Sequence, residues 1–169
     1  MPFLTTLVVI IADQFSKVWA VHFLADKGSY QVLGQFFQIR LVLNEGGALG
    51  TNFGSGTFYL ISSILILIIV IYLILTNREN YRMTIPMGLI AGGALGNIID
   101  RLRTGQVIDF LDFDFFDFSL FGRQIERWWI FNIADAAITA AVIFLIIFVI
   151  LFPGKKSSPR PEPDNHAKL

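Results

Sequence analysis

Apolar residues gather into four runs, each near the length of about 20 residues that a helix needs to cross a bilayer. The first spans about 2–24 and is interrupted by Asp13 and Lys17. The second, about 57–76, carries no charge, and the third, about 84–101, is short and glycine-rich. The fourth, about 128–152, contains Asp135. Between them lie one short turn, NRENYRM (77–83), and two longer stretches. YQVLGQFFQIRLVLN (30–44) mixes β-branched, aromatic and polar residues in partial alternation, the pattern of a small extramembrane sheet. DFLDFDFFDFSLFGRQIER (109–127) interleaves acids with rings and suits an edge strand or an interfacial segment.

Composition agrees with this map. Hydrophobic residues make up 54% of the 169 and charged residues 15%, with a mean hydropathy of +0.64. A soluble domain is less apolar than this. The pattern predicts an integral membrane protein with a single domain over 1–152 and a disordered, proline-rich tail over 153–169. The first run lacks a basic leading region and is broken by charge, so it reads as a retained helix and not as a signal peptide. Four spans put both termini on one side. Six Lys and Arg residues fall on each side, so charge bias does not choose the side. A formal net charge of zero gives no footprint for nucleic acid.

Several chemistries lack their residues. There is no cysteine, hence no thiol nucleophile or thiolate metal site. Two scattered histidines, His22 and His166, and no HExxH offer no zinc site. GSG at 54–56 is no nucleophile elbow. Ser16 and Lys17 are adjacent and diverge on a helix. No cofactor or metal is expected.

Acids inside the apolar runs are the informative exceptions, because a carboxylate at mid-helix costs roughly 3 kcal/mol on the mildest scale. Asp13 and Lys17 are four apart and face each other on one helix. Gly88, Gly92 and Gly96 form a small-residue stripe suited to close helix packing. Asn97, Asp100 and Arg101 follow at the membrane edge. Asp135 falls about 9 Å along a helix that starts near Trp129. Asp109, by spacing alone, is one of four loop acids with Asp112, Asp114 and Asp117. The loop that holds it joins the third span to the fourth, so Asp109 and Asp135 can meet at one membrane face. Two carboxyls that meet in a semi-dry pocket share a proton and can hydrolyse a peptide without metal, serine or cysteine.

Five motifs, in order and on the right spans, resemble the lipoprotein signal peptidases (signal peptidase II), bacterial aspartyl peptidases. They are DQFSK (13–17), NEGGALG (44–50), GGALGNIIDR (92–101), GQVIDF (105–110) and FNIADAAI (131–138). The resemblance implies a fold of four transmembrane helices, an extracytoplasmic β-cradle over 29–56 and a loop over the site at 111–127. It implies Asp109 and Asp135 as the catalytic dyad, and Asn44, Gly46, Asn97, Arg101 and Asn132 as substrate-binding residues. Asp13, Lys17 and Asp100 take supporting roles. It further implies a prolipoprotein substrate cut just before its diacylglyceryl-cysteine, contact with membrane lipids, and inhibition by globomycin-type cyclic peptides. The expected location is the bacterial cytoplasmic membrane, with both termini cytoplasmic and the site near the outer face. Leu49 departs from the family, which usually has an aromatic there.

Two other readings compete. A four-helix transporter would use Asp13 and Asp135 as proton-relay groups. An assembly subunit would use the glycines and the Asp13–Lys17 pair for packing, and would leave Asp109 and Asp135 apart.

Overall fold

The computed structural model of the chain describes residues 1–46, 56–114, 118–120, 123–125 and 130–151. Four helices are long and apolar enough to cross a membrane: α1 (Pro2–Leu24), α2 (Gly56–Thr76), α3 (Tyr81–Thr104) and α4 (Ile133–Leu151). Helix α3 is the central one and packs against each of the other three. Its residues are mostly buried, whereas α2 and α4 turn most of their Ile, Leu, Val and Phe side chains outward. That inversion is what lipid as solvent permits.

The glycine stripe explains why α3 can sit at the centre. A Cβ added at Gly92 would stand 2.6 Å from Val9 Cβ on α1, and one at Gly96 would strike the Asp13 carboxylate. Gly93 faces the other way, where a Cβ would stand 2.5 Å from the Ala134 carbonyl oxygen of α4. Helices therefore meet at backbone distance on both sides of α3. Gly105 closes α3 in the left-handed region (φ 78°), its N–H donating to the Arg101 carbonyl at 2.9 Å.

At one end of the bundle lies an antiparallel sheet of β1 (Ser29–Leu33), β2 (Phe37–Asn44), β3 (Val107–Phe113) and β6 (Ile130–Phe131), in the order β1-β2-β3-β6. It draws on both long loops and so extends beyond the 29–56 expected for the cradle. Ile39 and Phe110 pack with Ala20 and Leu24, seating the sheet on the end of α1. Strands β4 (Phe118–Leu120) and β5 (Arg123–Ile125) pair with each other inside the expected 111–127 loop. The first of that loop's residues, 111–113, belong to β3. Residues 47–55, which hold Gly47, Leu49 and Gly50 of the second motif, lie outside the described residues, as do 115–117, 121–122, 126–129 and the tail 152–169.

The fourth helix begins at Ile133, later than a start near Trp129. Ile130 and Phe131 are held as strand β6 against Asp112 and Leu111 of β3, and Asn132 then caps the helix. Asp135 is consequently in the first turn of α4, only about 3 Å along it.

Candidate active site

Asp109 comes from β3, in a register that places it opposite Val42 and diagonal to Asn44. The diagonal puts both side chains on one face, and Asn44 Nδ2 donates to Asp109 Oδ2 at 2.9 Å. Asp135 comes from α4. The turn Asn132–Asp135 is a reciprocal cap: Asp135 N donates to Asn132 Oδ1 at 3.0 Å, and Asn132 N to Asp135 Oδ2 at 3.4 Å. The N-terminal end of a helix also favours a carboxylate. Asp135 is thus less costly where it stands than the same acid at mid-span.

One residue joins the two acids, its side chain bonding one carboxyl and its backbone N–H the other. Fully buried Asn132 donates through Nδ2 to Asp109 Oδ1 at 2.7 Å while its own turn holds Asp135. Asn97 Nδ2 donates to Asp135 Oδ1 at 2.9 Å. Both carboxyls are therefore gripped by carboxamides. Among the described residues, neither forms an ion pair with a cation. Burial, and after it the charge of Asp135, pushes the Asp109 carboxyl up to about 7. Hydrogen bonds from Asn44 and Asn132 and the Lys17 cation pull the other way. A buried acid near neutrality, coupled to a second acid, is a marker of proton-transfer chemistry.

Behind this pair lies a second polar cluster. Lys17 Nζ lies 2.8 Å from Asp13 Oδ2 and 2.7 Å from Asp100 Oδ2. Asp13 Oδ1 accepts from the Ala134 N–H of α4 at 3.0 Å. Asp100 Oδ2 also accepts from the Ile108 N–H at 3.1 Å, which ties α3 to β3 beside Asp109. Asp100 and Arg101 do not pair with each other in this arrangement. Arg101 turns toward the mouth of the site, donating from Nη2 to the Gly46 carbonyl at 3.0 Å.

All ten residues singled out in the sequence thus fall in one connected region at the sheet end of the bundle. Gln14 was not singled out and belongs there as well. Its Nε2 lies 3.2 Å from Asp13 Oδ2, 3.0 Å from Asp100 Oδ1 and 3.2 Å from the Gly96 carbonyl. An uncharged polar residue beside an intramembrane acid was the available signal. The Asn-x-x-Asp spacing of 132–135 was likewise a legible capping signal.

Comparison with known proteins shows the family. The sequence profile of the family described as Signal peptidase (SPase) II matches residues 5–151. The lipoprotein signal peptidase of Chlorobium phaeovibrioides is 40% identical over 159 residues, covering 92% of this chain and 94% of that protein. That of Caldanaerobacter subterraneus subsp. tengcongensis is 35% identical, covering 86% and 92%. A bacterial membrane enzyme solved by the in meso method at 2.3 Å resolution superposes with a TM-score of 0.75 at 34% identity, covering 94% of this chain and 93% of that one. Four helices able to cross a membrane, a small sheet at one end and relatives that are membrane proteases define a membrane-embedded hydrolase. The chain belongs to the signal peptidase II family: it is a multi-pass membrane protease of lipoprotein processing.

Proposed function

We propose that Asp109 and Asp135 are the catalytic dyad of this protease. The observation that carries the reading is their shared grip by Asn132, with no cation paired to either acid among the described residues. Asp109, held near pH 7, carries the proton and donates to the scissile carbonyl oxygen. Asp135 accepts the proton of the attacking water. As the tetrahedral intermediate collapses, Asp135 passes the water-derived proton to the leaving amine and Asp109 takes its proton back from the intermediate's hydroxyl, so the dyad returns to its starting state. Across the two acids the protons titrate as a unit.

Asn44, Gly46, Asn97, Arg101 and Asn132 line the substrate side. Arg101 has its Nε buried without a partner among the described residues, which leaves a donor for a substrate carbonyl. The substrate is a prolipoprotein cut just before its diacylglyceryl-cysteine. Its acyl chains lie in the bilayer and present the peptide at the membrane surface, where Asp135 in the first turn of α4 can meet it. Binding energy from the lipid, remote from the reacting bond, orients the peptide. Globomycin-type cyclic peptides compete for the same groove. The enzyme is a single domain over 1–152 in the bacterial cytoplasmic membrane, with both termini and the 153–169 tail cytoplasmic and the site near the outer face.

The transporter reading loses its support, since Asp13 is paired with Lys17 and the family is a protease family. The assembly reading expected Asp109 and Asp135 apart, and one asparagine joins them. The decisive experiment is cleavage of a diacylglyceryl-modified prolipoprotein by Asp109→Asn and Asp135→Asn. Each variant is expected to accumulate in the membrane and to leave the substrate uncut. Normal processing by either sinks the dyad.

A further inference from the structure

The first helix contributes no group that touches Asp109 or Asp135, yet it reaches both through one side chain. Lys17 is 1% exposed and donates from Nζ to Asn97 Oδ1 at 3.1 Å. The same oxygen accepts from Asn132 Nδ2 at 3.1 Å. A carboxamide has one oxygen and one NH₂, and the two faces are nearly isosteric. Two donors, one of them a cation, on the Asn97 oxygen therefore dictate which way the amide is turned. The NH₂ is left to face Asp135 Oδ1, to which it donates at 2.9 Å. Flipped, the amide would present its oxygen to a carboxylate and its NH₂ to an ammonium, a mismatch at both ends.

We propose that Lys17 is a positioning residue that locks the flip state of Asn97, and through it the orientation of Asp135. The chain of contact runs from α1 to α3 to α4 without any substrate atom. Asp13 and Asp100 hold the lysine in place, and Gln14 in turn bonds both of those acids. The helix α1 motif thereby acts as one unit behind the site. The charged groups around the Asn97–Asp135 bond are Asp13 and Lys17 of α1, Asp100 and Arg101 of α3, and Asp109 of β3. This inference rests on Asp135 being one of the catalytic acids.

A double-mutant cycle between Lys17→Met and Asn97→Ala tests it, with the full chain in lipid vesicles and a diacylglyceryl-modified prolipoprotein as substrate. Losing a hydrogen bond to a charged group implies that Lys17→Met alone lowers kcat about 10-fold or more, with KM within about 2-fold. In the Asn97→Ala background the same change is expected to alter kcat by less than about 2-fold, since the group it acts on is gone. Lys17→Arg, which keeps charge and donors, restores most of the rate. The alkaline limb of the pH profile moves upward in Lys17→Met, because a cation that favours ionised Asp109 has been removed. Should Lys17→Met fail to accumulate, Lys17→Met with Asp100→Asn, which removes a stranded carboxylate, takes its place in the cycle. Equal, additive losses in both backgrounds overturn the positioning role. That outcome leaves the dyad untouched, whereas activity in Asp135→Asn overturns the dyad and with it the ground for this inference.

Discussion

Asp13, Asp100, Asp109 and Asp135 lie toward the sheet end of the bundle, and their partners divide them into two kinds. On the α1–α3 seam, Asp13 and Asp100 share the ammonium of Lys17 at 2.8 and 2.7 Å. On the β3–α4 seam, among the described residues, Asp109 and Asp135 are held by the carboxamides of Asn44, Asn97 and Asn132 and by a backbone N–H. A cation neutralises a carboxylate and favours its ionised state. A carboxamide orients the group but is neutral, so burial and mutual repulsion still govern its proton. The proposed dyad therefore separates the same residue type into two settings, cation-paired on one seam and amide-held on the other.

Swapping acids for amides sharpens this division most. Asp109→Asn and Asp135→Asn are expected to lower the cleavage rate by about 10³-fold or more, the scale seen when a group of a concerted catalytic set is removed. Asp13→Asn keeps an oxygen for the Ala134 N–H, and Lys17 keeps Asp100. It is expected to cost only about 10-fold. Equal losses in single-turnover cleavage by all three variants would erase the distinction.

Asn132 comes next. It bonds Asp109, bonds Asn97 and caps α4. Asn132→Ala is expected to lower kcat about 100-fold, since loss of the acid-holding contacts adds to loss of the cap, itself about 1 kcal/mol.

The pH profile follows. Asp109 is raised from 3.8 to about 7, so its acid form prevails below that value and drains away above it. With the acid form required, kcat/KM falls about 10-fold per pH unit on the alkaline side of about 7. The same shift makes Asp109 a destabilising group when ionised. The folded state holds a proton that the unfolded state has lost between 3.8 and about 7. Stability therefore declines as pH rises through that window. An alkaline limb that persists unchanged in Asp109→Glu or at a pH far from 7 would detach the profile from this residue.

The smallest expected effect on rate lies in the sheet. Arg40 Nε stands 3.0 Å from Asp112, which is fully buried, while the arginine side chain is 42% exposed. Arg40→Ala is expected to cost about 1–2 kcal/mol of stability, after allowance for solvent screening. Its kcat should remain within about 2-fold of the parent. Thermal unfolding beside the cleavage assay separates the two effects. A large loss of kcat at unchanged Tm would make the β2–β3 pair part of the catalytic arrangement.

Much of this was legible along the chain. Apolar runs announce the spans because every buried backbone group in lipid must be paired within its own helix. Asp13 and Lys17 announce their pairing because residues four apart share a face. The Gly88–Gly92–Gly96 stripe announces a close partner, though not that the partner is α1. Asp109 is the opposite case. Spacing alone left it among Asp112, Asp114 and Asp117, and only its motif singled it out. In the fold, its place opposite Val42 gives it Asn44 and Asn132, while Asp112 opposite Gln38 meets Arg40. The start of α4 was also misjudged from hydrophobicity, since Ile130 and Phe131 are as apolar as the helix that follows but are claimed by β3.

Local chemistry, repeated over 20 residues, determined by itself that this chain enters a membrane, how often it crosses, and which polar residues must have a purpose there. Those are matters of transfer energy and of period, and both are written along the chain. Which of these acids meets only amides among the described residues was decided when α1, α3, α4 and β3 came together. What a buried carboxyl faces across space, the Lys17 ammonium of α1 for Asp100 and the carboxamides of Asn44 and Asn132 for Asp109, is not set by its neighbours in sequence.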